Sequence, residues 1–377
     1  MKILQILPYY YPHVGGVENH VQGLTTELMK KGVEVAILTS RYKRDLPEHE
    51  IINNVHIYRA GPSITIFNTP ITLGLTSLIK TIDFDIAHIH YPPPVTSYIA
   101  SVGCKHINKP YCLTYHCDLE LDVPAGDSIV KLYQETFAYN TVRHAKEIIV
   151  HTKSYQESSA LLWNVRSTII PSAVDTAIFN PAVDKNIIKA KYSLMNKKIV
   201  LFVGRLVPHK GIDQLLYMLR SLDRDIVLLI VGNGPELDRL KKLSVTLSLA
   251  GRVFFAENIS NAELPYYYAS ADLFILPSIT RLEAFGMVTL EAMASGKAVL
   301  VSDIPGVREI VTDGKDGLLF QPFILDDLIN KIKYLFDNPD LLEKFGRNGR
   351  KKVETQFQWG IIADSIIKVY NSILENG

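Results

Sequence analysis

The strongest constraint on this chain is a repeated alternation of short apolar runs with amphipathic segments, joined by glycine-bearing turns. Ile199–Val203 is a continuous apolar run, the pattern of a strand buried on both faces. Helix-like periodicity follows over Gly211–Leu222, Glu236–Ala250 and Ala262–Ala269, interleaved with strand-like runs at Ile226–Val231, Val253–Phe255, Leu273–Leu276 and Ala298–Ser302. An earlier series opens with Ile3–Leu7, the pair Gly15–Gly16, a helix-like Val17–Lys31 closed by Gly32, and a strand at Val33–Thr39. It continues through Ile86–His90, Cys112–His116, Ile148–Thr152 and Thr168–Ile170, with helical periodicity over Ser128–His144. Alternation of this kind demands parallel sheets with helices on both faces. Two such series predict an α/β chain of two Rossmann-like domains.

A length of 377 residues is too great for one ordinary core and agrees with two domains. The turn-rich stretch Pro171–Asp184 is the expected boundary, giving domains over 1–175 and 176–358, with a last amphipathic helix over Trp359–Leu374. Lys plus Arg (40) nearly balances Asp plus Glu (39), which argues against a dedicated nucleic-acid binder. The basic SRYKR at Ser40–Arg44 is followed at once by acidic PEHE and reads as a solvated loop. Three cysteines, Cys104, Cys112 and Cys117, cannot all pair within the chain, so a reducing, cytoplasmic setting is expected. The opening apolar run is cut off by Pro8 and reads as a strand rather than a signal peptide. No run of about eighteen apolar residues predicts a membrane span.

In open parallel sheets, ligands bind beyond the carboxyl ends of the strands, so residues following strands are the candidates. Two domains facing each other would place a site in the cleft between them. GRLVPHKG, Gly204–Gly211, sets Arg205 and Lys210 in one loop before a helix, enough positive charge for a diphosphate. Gly15–Gly16 precedes the first helix and would let a ligand approach the backbone. TRLEAFGMVTLEAMASG, Thr280–Gly296, carries Glu283 at a strand end and Glu291 inside an apolar helix expected to start near Phe285. A buried carboxylate needs a partner. Two glutamates up to ~12 Å apart on a fully helical path suit a ligand with hydroxyls at both ends and phosphates between. Ribose, diphosphate and sugar of a nucleotide-sugar have that order. His116 follows a strand and would face the same cleft, while His88 and His90, ending another strand, could line the acceptor side.

Other signals fail on geometry. Cys112 and His116 share a strand face but Cys117 points away, and a fourth zinc ligand of suitable spacing is absent. The DxD matches Asp83–Asp85 and Asp223–Asp225 stand before strands, at the amino edge, and read as turns. No GxGxxG or GxSxG motif is present.

Taken together, these residues resemble the family-4 retaining glycosyltransferases of the GT-B fold. EAFGMVTLE matches that family's E-x7-E element, GRLVPHKG its G-R-L…K-G loop, PHVGGVEN its first glycine loop and TYHCD its histidine, in the expected order over nearly the whole chain. The resemblance implies that Arg205 and Lys210 bind the donor diphosphate, Glu291 the ribose and Glu283 the donor sugar. Gly15, Gly16, Phe285, Gly286 and Met287 would complete the donor site, with His116 beside the reacting sugar. It also implies retention of configuration, no metal, and a final helix packed back on the first domain. Ser172–Ala173 departs from the Asn-Gly of many relatives. A hexose-type sugar would pass from a nucleotide-diphosphate sugar to a hydroxyl of a glycan, a lipid or a small molecule. Peripheral contact with the cytoplasmic membrane face stays open. So do two rival readings: a nucleotide-sugar epimerase of similar fold, and a non-catalytic nucleotide-sugar-binding subunit.

Overall fold

The computed structural model describes all residues except 14, 62, 67–68, 73, 93, 120–125 and 377. The chain divides into two compact units, Met1–Ser172 with Trp359–Gly377, and Ala173–Gln358.

The first unit runs β1 (Lys2–Ile6), α1 (Gly16–Lys30), β2 (Glu34–Ser40), β3 (His49–Ile52), β4 (Val55–Ala60), β5 (Ser63–Ile66), β6 (Thr69–Thr72), α2 (Leu75–Thr81), β7 (Ile86–Tyr91), α3 (Pro94–His106) and β8 (Tyr111–Tyr115). Then come α4 (Gly126–Tyr133), a π-helical turn (Gln134–Ala138), α5 (Tyr139–His144), β9 (Glu147–Val150), α6 (Lys153–Ser158) and β10 (Thr168–Ile169). The second unit has α7 (Asn186–Lys191), β11 (Lys198–Val203), α8 (Ile212–Leu219), β12 (Ile226–Val231), α9 (Leu237–Thr246), β13 (Val253–Ala256), α10 (Leu264–Ser270) and β14 (Leu273–Leu276). It ends with α11 (Met287–Ala294), β15 (Ala298–Ser302), β16 (Leu318–Phe320), α12 (Leu325–Asp337) and α13 (Pro339–Gln356). Helix α14 (Trp359–Glu375) returns to the first unit, where it packs on α1.

The larger sheet has the order β10-β9-β8-β7-β1-β2-β4-β3 and is parallel except for β3, which runs antiparallel to β4. The second unit's sheet is β13-β12-β11-β14-β15-β16, parallel throughout. Its central strands KIVLFV and IVLLIV are buried on both faces because helices cover both. Each sheet reverses its strand order beside its first strand, at β1/β7 and at β11/β14. Such switch points open a crevice at the carboxyl ends of the strands.

The structure corrects some expected boundaries. Helix α11 starts at Met287, not near Phe285, because Gly286 at its N-cap holds a left-handed φ of 82°. The path from Glu283 to Glu291 is therefore not helical throughout. Strands β3 to β6 and helices α2 and α3 fill stretches without a sequence assignment. Among the described residues, no helix is long and apolar enough to cross a membrane.

Candidate functional site

In the second unit, the loops after β11 and β14 lie side by side because their strands pair. The first carries Arg205 and a single 3-10 turn, Pro208–Lys210, ending at Gly211. Gly211 is the N-cap of α8 with φ 61°, and a Cβ there would lie 2.5 Å from the Pro277 carbonyl oxygen. That close approach presses the two loops together. Lys210 ion-pairs with Glu283 across them, both side chains largely enclosed. Ser278 donates to the same carboxylate oxygen at 3.0 Å. Arg205 stands exposed at the head of its loop, without an ion partner among the described residues. His209 next to Lys210 is held below the usual histidine range by burial and by the Lys210 charge.

Glu291 sits in the second turn of α11, where a carboxylate among apolar residues needs a partner. The structure supplies one: the Tyr268 hydroxyl on α10 donates to Oε2 at 2.6 Å. As a residue Glu291 is partly accessible, yet burial lifts its carboxyl to about 7. Tyr268 is pushed well above its usual value by burial and by the facing carboxylate. Nothing in PYYYAS marks Tyr268 in sequence, since helical spacing rules do not reach 23 residues. Phe285 is buried in the core of this unit, and Met287 packs partly buried against it.

In the first unit, Gly15 is the extended N-cap of α1. A Cβ on it would come within 2.4 Å of the Glu18 carboxylate, which reaches back over the first turn and pairs with His13 at 2.9 Å. A side chain at Gly15 would have to displace this carboxylate from the first turn. A Cβ on Gly16 meets nothing within 4 Å, so packing within the protein does not demand this glycine.

His116 lies one residue beyond β8, and both its ring nitrogens are engaged. Nε2 is 3.0 Å from His90 Nδ1, and Nδ1 is 3.0 Å from His151 Nε2. His88 and His90 do not line an open face as expected. Both are fully buried in β7, because helices cover the strand's faces. His88 meets the Tyr370 hydroxyl of α14 and Thr114, and His90 meets Gln5 of β1. His20 of α1 joins this group edge-on to His116 and Trp359. The HIH pattern in an otherwise apolar strand was the one available sequence signal for it. The structure thus brings Lys210 together with Glu283 in one unit, and His116 with His90 and His151 in the other.

Among the described residues, no group of three or more His, Cys, Asp and Glu side chains is arranged to hold a metal ion. Asp83 and Asp85 both engage Lys2, at the amino edge of the first sheet.

Two family models account for most of the chain: glycosyl transferases group 1 over residues 184–352 and glycosyltransferase family 4 over residues 14–178. The chain belongs to the family-4-like glycosyltransferases of the GT-B fold. An uncharacterised glycosyltransferase of Methanocaldococcus jannaschii is 30% identical, with 99% of each chain covered. A GDP-mannose-dependent alpha-(1-6)-phosphatidylinositol monomannoside mannosyltransferase of Mycobacterium tuberculosis is 34% identical over 52% of this chain and 53% of its own length. Sucrose-phosphate synthase of Thermosynechococcus elongatus superposes with a TM-score of 0.85 at 23% identity, covering both chains fully.

Proposed function

We propose that this glycosyltransferase moves a hexose-type sugar, with retention, from a nucleotide-diphosphate sugar to a hydroxyl of a glycan, lipid or small-molecule acceptor. The observation that carries the reading is the pairing of Lys210 with Glu283 across the β11 and β14 loops, beside the exposed Arg205. A donor diphosphate would draw Lys210 and Arg205 onto its oxygens. The freed Glu283 carboxylate would accept a hydrogen bond from a sugar hydroxyl. Glu291 would accept from the ribose. Residues Phe285, Gly286 and Met287 would offer backbone N–H groups where α11 begins, and Gly16 would let the phosphates approach α1. His116 would stand beside the reacting sugar. The bond between the sugar's anomeric carbon and the phosphate oxygen breaks, and a bond to the acceptor oxygen forms. The acceptor's proton leaves with the nucleotide's phosphate oxygen. A GDP-mannose-dependent relative supports a nucleotide-sugar donor.

Transfer would need no divalent metal, because two cations meet the charge on the leaving diphosphate. The test is nucleotide release from UDP-, GDP- and ADP-sugars with pooled acceptors, with and without EDTA. Arg205→Ala is expected to slow release about 10²–10³-fold, the usual cost of one charge-stabilising donor. Undiminished turnover in that variant, or loss of turnover in EDTA, would overturn the corresponding part.

A further inference from the structure

A row of polar side chains, all buried except the half-buried His116, crosses the first unit's sheet, passing over four neighbouring strands, β9, β8, β7 and β1. It begins at the Ile170 carbonyl, 3.1 Å from His151 Nδ1. His151, His116 and His90 follow, with ring nitrogens 3.0 Å apart at each step. His90 Nε2 then meets the Gln5 amide at 2.7 Å. Gln5 continues to the Tyr370 hydroxyl at 3.4 Å, and Tyr370 to His88 Nδ1 at 2.6 Å. His88 Nε2 ends the row on Thr114 Oγ1 at 2.6 Å.

Proton counting decides the state of this row. A carbonyl only accepts, so His151 must carry its proton on Nδ1. If the Gln5 oxygen also faces the row, four contacts lie between two acceptors, and three neutral imidazoles supply only three protons. One ring would have to be an imidazolium in a buried site, where a charge without a counter-ion is costly. The groups facing His90 and His116 are other histidines, namely His20 of α1, His88 of β7 and His151, with Tyr370 of α14 behind Gln5. Among the described residues, none of the groups acting on His90 and His116 is a carboxylate that would hold a cation there. A half-turn of the Gln5 amide removes the conflict, because its NH2 group then donates to His90 Nε2.

We infer that Gln5, His90 and His151 are positioning residues that lock His116 as a neutral imidazole protonated at Nδ1. Every bond in the row then points one way. Thr114 donates to His88 Nε2, His88 Nδ1 to Tyr370, Tyr370 to the Gln5 oxygen and Gln5 to His90. His90 donates to His116, His116 to His151 and His151 to Ile170. All four histidines share the Nδ1–H form. His116 therefore has no spare proton to give as a general acid at neutral pH, and its ring plane is fixed from both sides. This inference needs no donor or acceptor and stands apart from the sugar-transfer reading.

Long-range ¹H–¹⁵N spectra of the full chain labelled at histidine nitrogen test it directly. His90, His116 and His151 are expected as neutral Nδ1–H rings from pH 6 to 8. Tyr370→Phe, which keeps the shape of α14, should shift only His88, to the Nε2–H form donating to Thr114. An Nε2–H signal or an imidazolium on His116 in the unaltered protein would overturn the inference. So would an altered His116 tautomer in Tyr370→Phe.

Discussion

Glu291 shows how a candidate site residue can be held ready by its own fold. Burial raises its carboxyl to about 7 from an ordinary value of 4.5, and the Tyr268 hydroxyl opposes that rise by bonding the ionised form. The folded protein therefore retains a proton between pH 4.5 and 7 that the unfolded chain has released. Its contribution to stability is whole below about 4.5 and fades as pH rises through 7. Donor binding has the opposite sign, since a carboxylate accepting ribose hydroxyls must be ionised. Titration calorimetry from pH 6 to 8 should show affinity rising toward a plateau above 7, with proton release on binding near pH 6. Tyr268→Phe should move the plateau to higher pH. A flat profile would separate Glu291 from the donor.

Lys210 and Glu283 allow structure and chemistry to be told apart. Lys210→Met leaves an enclosed carboxylate without its counter-charge, at a cost of up to about 3 kcal/mol. Adding Glu283→Gln removes that charge, so the double variant should recover most of the lost melting temperature. It should not recover turnover, because the cation proposed for the leaving phosphate is still missing. Recovery of both would make the pair structural.

At the scale of elements, the strands that the sequence declared were those with no choice of face. KIVLFV and IVLLIV are apolar throughout because both faces are covered. Strands β3 and β4 were not legible. HEII and VHIYRA pair antiparallel at the sheet's outer edge, and their alternating histidines and tyrosine look like a polar loop. The start of α11 was misplaced because a left-handed glycine sets it, whereas apolar periodicity runs on through Ala284 and Phe285. Loop residues after strands were legible as candidates because chain order alone puts them at the carboxyl edge. Their partners, Tyr268 for Glu291 and His151 for His116, come from sheet and helix packing that no local spacing encodes. Gly211 makes a prediction at this scale. Gly211→Ala forces a side chain into a left-handed conformation and against the Pro277 carbonyl. A loss of roughly 2–4 kcal/mol is expected in denaturant melts. Lys210 would be displaced with its loop, so kcat should fall as well.

For the molecule as a whole, the decisive element is α14, which is last in sequence yet completes the first unit. It buries Ile362, Ala363, Ile366, Val369, Tyr370 and Ile373, worth on the order of 10 kcal/mol at ~1.5–3 kcal/mol per large side chain. That equals a whole domain's margin of about 5–15 kcal/mol. Tyr370 adds the hydroxyl that joins His88 to Gln5, and its loss orphans two buried polar groups at roughly 1–3 kcal/mol each. The second unit has its own core, from Val174 to Phe357, and among the described residues none of its members lies on α14. A chain ending at Gln358 should therefore lose the first unit's cooperative transition while keeping that of the second. Calorimetry of the truncated chain should show one melting transition. Proteolysis should leave a resistant fragment close to Ala173–Gln358. Adding α14 back as a separate peptide should restore protection to α1 in hydrogen exchange, since α1 is the helix it packs against. A truncated chain whose first unit still melted cooperatively would show that α14 is an accessory to that core and not part of it.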